Sequence, residues 1–131
     1  MPTRVHGTLR DEDLADTYSI WRKPGKYGYH LIVEGPGALD LSIEALQPTE
    51  EVQGGTVGSW KIIEERRDVR GGARLGGAVS VAPAHLQSHL GAEWIELRVR
   101  VSRAGGTGAV AYDLELDADG GGLRPQVEAS G

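Results

Sequence analysis

Apolar and polar residues alternate along most of this chain in short runs, and glycine or proline separates one run from the next. In Asp16–Arg22 ("DTYSIWR"), Tyr18 and Ile20 fall on one side, Ser19 and Trp21 on the other. "KPGK" then reads as a turn, because proline pre-sets one φ and glycine takes positive φ at low cost. "YGYHLIVE" sets Tyr27, Tyr29, Leu31 and Val33 against Gly28, His30 and Ile32. After "GPG", "ALDLSIEAL" sets Leu39, Leu41, Ile43 and Ala45 against Asp40, Ser42 and Glu44. A period of two predicts half-buried antiparallel strands.

The next run, "SWKIIEERR", could be helical on its Lys, Glu and Arg content, but Trp60, the paired isoleucines and the neighbouring runs favour a strand. "DVRGGARLGG" is too rich in glycine for a stable element and reads as a mobile loop, and "AVSVA" as a short strand. Between Pro83 and Gly91, "PAHLQSHLG" has the start and stop residues of a two-turn helix. "WIELRVRVSR" and "AVAYDLELD", joined by Gly-Gly-Thr-Gly, predict a closing hairpin. One register places Arg100 opposite Asp113, Arg98 opposite Glu115, and Val99 opposite Leu114 in the core.

Together these runs predict an all-β domain over residues 16–119. It is an antiparallel β-sandwich or jelly roll of about seven strands with one short helix, and a β-barrel is the runner-up. Residues 1–15 read as a polar arm in which "RDEDLAD" is a helical turn or extended, and residues 120–131 as a flexible tail poor in apolar side chains.

Composition narrows the function classes. A chain of 131 residues fits one domain. With no Phe, three Trp and four Tyr, its core must rest on Val, Ile, Leu and Ala. A net charge of −5 supplies no basic footprint for nucleic acid. The absence of cysteine removes disulfides, thiolate metal sites and a Cys nucleophile. No apolar stretch approaches the ~18 residues of a membrane span. The N-terminal residues lack the apolar centre of a signal peptide, so a soluble protein acting where it is made is expected.

Few residues are spaced for chemistry. His85, His89 and Glu93 stand four apart, a spacing that could hold zinc or iron on a continuous helix, but Gly91 interrupts it. Asp117, Asp119 and Gly120 open like a calcium loop, yet the later acids of such a loop are missing. The glycine clusters precede no helix and no Lys-Ser/Thr pair, so they are turns rather than phosphate loops. Ser59 is in no nucleophile elbow, and the neighbouring pairs Glu50–Glu51 and Glu64–Glu65 would point to opposite faces of a strand. The sequence therefore predicts no catalytic residue, no metal and no cofactor. The candidate binding residues are Trp21 and Trp94, on the polar faces of their strands, with Arg98 and Arg100 beside them. Tryptophan on a strand face can stack a sugar ring or anchor a protein interface.

The stretch from Gly58 to Leu116 resembles the small β-sandwich modules of tailed-phage virions, such as head-decoration proteins. The likeness rests on Trp60 in a strand, on Pro83 closing another, and on Gly106, Thr107 and Gly108 in the final turn. "DTYSIWRKPGKYGYHLIVEG" with "GTGAVAYDLELD" also resembles the pre-peptidase C-terminal jelly rolls attached to secreted proteases, through Tyr18, Gly108, Tyr112 and Leu114. The first resemblance implies a non-enzymatic virion surface protein that stabilises a capsid through protein contacts as a homo-oligomer. The second implies a carbohydrate- or protein-binding accessory module.

Overall fold

The structure, a computed structural model, describes residues 3–13, 15–52, 55–82, 94–105 and 108–116, with only the backbone of 48–52 and 55–57. It contains eight strands: β1 (Thr3–Leu9), β2 (Ala15–Arg22), β3 (Gly25–Glu34), β4 (Ala38–Val52), β5 (Gly55–Arg70), β6 (Arg74–Val81), β7 (Ile95–Gly105) and β8 (Val110–Leu116). They form two four-stranded antiparallel sheets, ordered β1-β8-β3-β6 and β2-β7-β4-β5. Among these strands only the link from β4 to β5 stays within one sheet; every other link crosses the sandwich. That winding is the jelly-roll form of a β-sandwich.

The alternation read from the sequence decides which side chains enter. Leu31, Val33, Leu39, Leu41, Ile43, Leu97, Val99, Val101, Val110 and Leu114 are buried between the sheets, with Tyr29 fully enclosed. At ~25 cal/mol per Å2 of apolar surface removed from water, this layer is the main stabilising term.

The closing hairpin does not form. β7 pairs with β2 and β4, whereas β8 lies in the other sheet between β1 and β3. The expected Arg100–Asp113 and Arg98–Glu115 pairs are therefore absent. Arg98 instead stands opposite Glu44 and donates to its Oε1 at 2.6 Å, and Asp113 accepts a two-pronged pair of hydrogen bonds from Arg4. Alternation fixes which face of a strand is apolar, but not which strand lies beside it. Complementary charges were available on more than one neighbour.

Two further expectations change. "DVRGGARLGG" is the end of β5, a tight turn and the start of β6, rather than a loop. Within the expected polar arm, Thr3–Leu9 is an edge strand paired to β8 along its whole length. The two-turn helix expected at 83–91 and the tail after Leu116 lie outside the described residues.

The crossings at one end of the sandwich rest on one another. Gly37 N donates to Ala109 O at 3.2 Å, Gly71 N to Gly37 O at 3.2 Å, and Gly72 N to Val33 O at 2.7 Å. Asp11 Oδ1, from the β1–β2 link, accepts from Gly108 N at 3.1 Å and meets Arg103 Nη2 at 3.3 Å. Four sheet-to-sheet links are thus pinned together, three of them by backbone hydrogen bonds and the β1–β2 link by the Asp11 carboxylate. Small residues are needed there because the chains approach too closely for side chains.

At each open side of the sandwich an inward-facing tyrosine reaches across to the opposite sheet. Tyr112 of β8 donates to Asp16 Oδ2 at 2.5 Å and shares a hydrogen bond with Tyr18, both on β2. Tyr29 of β3 donates to Glu64 of β5 and accepts from Arg66 Nε at 2.9 Å; Arg66 Nη2 also reaches Gly76 O at 2.9 Å. Each tyrosine stands opposite a glycine of the edge strand, Gly7 for Tyr112 and Gly77 for Tyr29. A Cβ at Gly77 would lie 2.5 Å from Cζ of the enclosed Tyr29 ring, whereas one at Gly76 meets nothing closer than 3.8 Å. Gly77→Ala should therefore cost roughly 1–3 kcal/mol through overpacking. Gly76→Ala should fall within about 0.5 kcal/mol of the parent. Urea melts of the two variants check this, and equal stabilities would refute the role given to Tyr29.

Candidate functional site: the outer face of the β2-β7-β4-β5 sheet

The outward positions of this sheet follow from register. Ser19, Arg98, Glu44 and Ile62 form one row across β2, β7, β4 and β5. Thr17, Arg100, Ser42 and Glu65 form the next. On the other side of the first row, Trp21 pairs with Glu96 and Leu46 with Trp60. Strand parity puts Trp94, just before β7, on this same face.

Three large apolar side chains are about half exposed among the described residues: Trp21 (51 %), Trp94 (51 %) and Ile62 (50 %). All three belong to this one face. Polar contacts hold the aromatic groups in place. The Arg98 guanidinium lies 4.2 Å from the Trp60 ring centroid while it pairs with Glu44, and Lys23 Nζ lies 5.2 Å from the ring of Trp94. Ser19 Oγ donates to Glu96 Oε2 at 2.6 Å. Stacked in this way, a guanidinium and an indole present a broad flat surface at little further entropy cost, as at the centres of protein interfaces.

The other sheet presents a different outer face. A cleft of about 470 Å3 opens over Ala111, lined by His6, Thr8, Glu34, Arg74 and the Arg4–Asp113 pair. Hydrogen bonding to Arg4 holds the Asp113 carboxyl below the usual carboxylate range against the opposing effect of burial, with His6 and His30 adding to the shift. The closest charges of this cleft satisfy each other. No three His, Asp or Glu side chains among the described residues gather closely enough to hold a metal ion.

Of the residues singled out from sequence, Trp21, Trp94, Arg98 and Arg100 share one face. His85, His89, Asp117 and Asp119 lie outside the described residues. Trp60, Ile62, Leu46 and Glu44 complete the face and were missed as site residues. Adjacent Ile62 and Ile63 hid which side of β5 points outward, and a register shift between Ile43 and Glu44 displaces the pairing.

No protein-family model matches the chain, and no curated protein matches it. Among solved structures, it is similar to one titled as the structure of infectious bursal disease virus Gx strain, with 12 % identity, a TM-score of 0.44 and 86 % of this chain covered. It is also similar to the CBM22-1–GH10 modules of the Clostridium thermocellum N-terminal endo-1,4-beta-D-xylanase 10B, complexed with xylohexaose. That match has 10 % identity, a TM-score of 0.40 and 79 % of this chain covered. The matches span 28 % and 20 % of those longer chains.

Proposed function

We propose that this chain is a non-enzymatic structural protein that acts through protein–protein contacts, and specifically a virion surface component that stabilises a capsid as an oligomer. The observation that carries the reading is that Trp21, Trp94 and Ile62, each about half exposed, lie on the same sheet face as the Arg98–Trp60 pair. Large apolar side chains exposed on one face among polar groups mark a candidate interaction site. The jelly roll is a common architecture of viral shells, although fold by itself does not fix function. A second reading, a carbohydrate-binding module, draws on the same two exposed indoles, which could stack sugar rings.

Co-sedimentation of the protein with candidate capsid shells, beside binding to a panel of polysaccharides, separates the two. The proposal expects retention on shells and its loss in Trp21→Ser/Trp94→Ser. Retention on a polysaccharide alone, lost in the same variant, would replace it with the second reading.

A further inference from the structure

Where β5 turns into β6, at an open side of the sandwich, a cleft of about 420 Å3 opens beside the two edge strands. Ala73 in the turn and Leu75 on β6 give it an apolar lining, and Arg66, Arg67 and Arg70 border it with Asp68. In a chain of net charge −5, three arginines against one acid make this lining locally cationic. Glu64 and Glu65, which pair with Arg66 and Arg67, stand outside it.

The backbone of β5 is irregular at this point. Between the pairs Leu41↔Arg66 and Leu39↔Val69, β4 has one residue, Asp40, and β5 has two, Arg67 and Asp68. This bulge holds Asp68 at φ 55°, the one positive φ among the described residues other than glycine, and Asp40 Oδ1 accepts from its amide N at 2.8 Å. Without the extra residue, every side chain on one side of it would change face. A bulge on an edge strand that re-aims side chains is a recurrent neighbour of binding sites.

The arginines differ in how firmly they are held. Arg66 is fixed: it crosses from β5 to donate to Gly76 O at 2.9 Å and to the Tyr29 hydroxyl at 2.9 Å. Arg67 meets Glu65 at 3.0 Å and Arg70 meets Asp68 at 3.4 Å, yet their side chains are 72 % and 78 % exposed. Ion pairs so open to water contribute little, and a guanidinium keeps several donors beyond those one carboxylate uses. An incoming oxyanion therefore displaces little. The volume falls within the range of small-molecule sites.

We infer that this cleft binds a small organic anion, its carboxylate or phosphate group held by Arg67 and Arg70 beside the fixed Arg66, and its apolar body on Ala73 and Leu75. The inference is independent of the docking reading of the tryptophan face, and either can fail alone.

Isothermal titration calorimetry on the full chain tests it, with phenyl phosphate, benzoate, inorganic phosphate and phenol as probes. One phenyl phosphate or benzoate should bind per chain, more tightly than inorganic phosphate, and phenol should not bind. The tighter of the two anions identifies the head group. Arg67→Gln and Arg70→Gln should each weaken binding about tenfold. Lys26→Gln, the same change of charge at an exposed position of β3 outside the cleft, should leave it unchanged. Asn tolerates the left-handed region, so Asp68→Asn should keep the bulge, release Arg70 from its acid and tighten binding about threefold. A gain of this kind does not arise from a folding defect. Failure of both organic anions to bind overturns the inference, as does equal weakening by Lys26→Gln and Arg70→Gln. Phenol binding as tightly as phenyl phosphate would overturn the role of the arginines.

Discussion

Gly71→Ala is expected to cost about 3 kcal/mol or more, a large fraction of the 5–15 kcal/mol that is the order of a whole domain's stability. A Cβ at Gly71 would stand 1.8 Å from Gly35 O and 2.8 Å from Gly35 C. Those are backbone atoms, and they cannot swing aside as a side chain can. Gly35 is itself fixed in the left-handed region at φ 107°, where its own Cβ would lie 2.7 Å from Ala109 O. Relief at one crossing would therefore push on the next. Since the β3–β4, β5–β6 and β7–β8 links are stacked by hydrogen bonds, one methyl should loosen the whole end of the sandwich. Circular dichroism against temperature reads this directly, and a variant melting within a few degrees of the parent would show that the crossings are not packed as described.

The second large effect is alkaline. Burial, reinforced by the hydrogen bond to Glu64, pushes the Tyr29 hydroxyl up to about 12, and burial with the hydrogen bonds to Asp16 and Tyr18 raises Tyr112 further still. A phenol with a raised folded pKa contributes stability that is fully present below its unfolded value near 10. That stability drains away as pH climbs through the folded value. For Tyr29 alone the shift corresponds to roughly 2 kcal/mol between pH 10 and 12. The parent should hold its stability up to pH 10 and then lose it steeply, while Tyr29→Phe should start lower and follow a shallower slope. Parallel curves for the two proteins would contradict the Tyr29–Glu64–Arg66 link between the sheets. On the acid side, Asp113 contributes stability above its unfolded pKa that is lost as pH falls through its lowered folded value.

Much of the fold was legible because most of the strands advertise themselves by alternation, and the β-sandwich follows from their number and spacing. β1 escaped because Gly7 occupies one of its inward positions, where the Tyr112 hydroxyl approaches to 2.8 Å of a virtual Cβ. The filling side chain belongs to the partner strand, so the run looks polar. "GGARLGG" misled for the same reason: Gly77 yields its space to Tyr29, and Gly71 to the backbone of Gly35. Glycine in such places records a neighbour far away in sequence, which no local pattern contains.

Topology was the harder loss. Arg98 could face Glu115 on β8 or Glu44 on β4 with equal local logic, and only the crossing between β7 and β8 decides between them. The grouping of the candidate residues on one face did not depend on that pairing. Trp21 and Arg98 belong to one face through the pairing of β2 with β7, a contact unrelated to the expected hairpin. Trp60 and Ile62 join it through β4 and β5.

The central claim is that this tryptophan face holds the protein to other protein chains. Light scattering of the parent beside Trp21→Ser/Trp94→Ser, at matched concentration and with melting curves recorded for both, tests it most directly. The account predicts a parent mass that is a multiple of the 14.0 kDa chain and a variant of single-chain mass with an unchanged melt. Equal masses for the two folded proteins, together with equal retention on capsid shells, would contradict it.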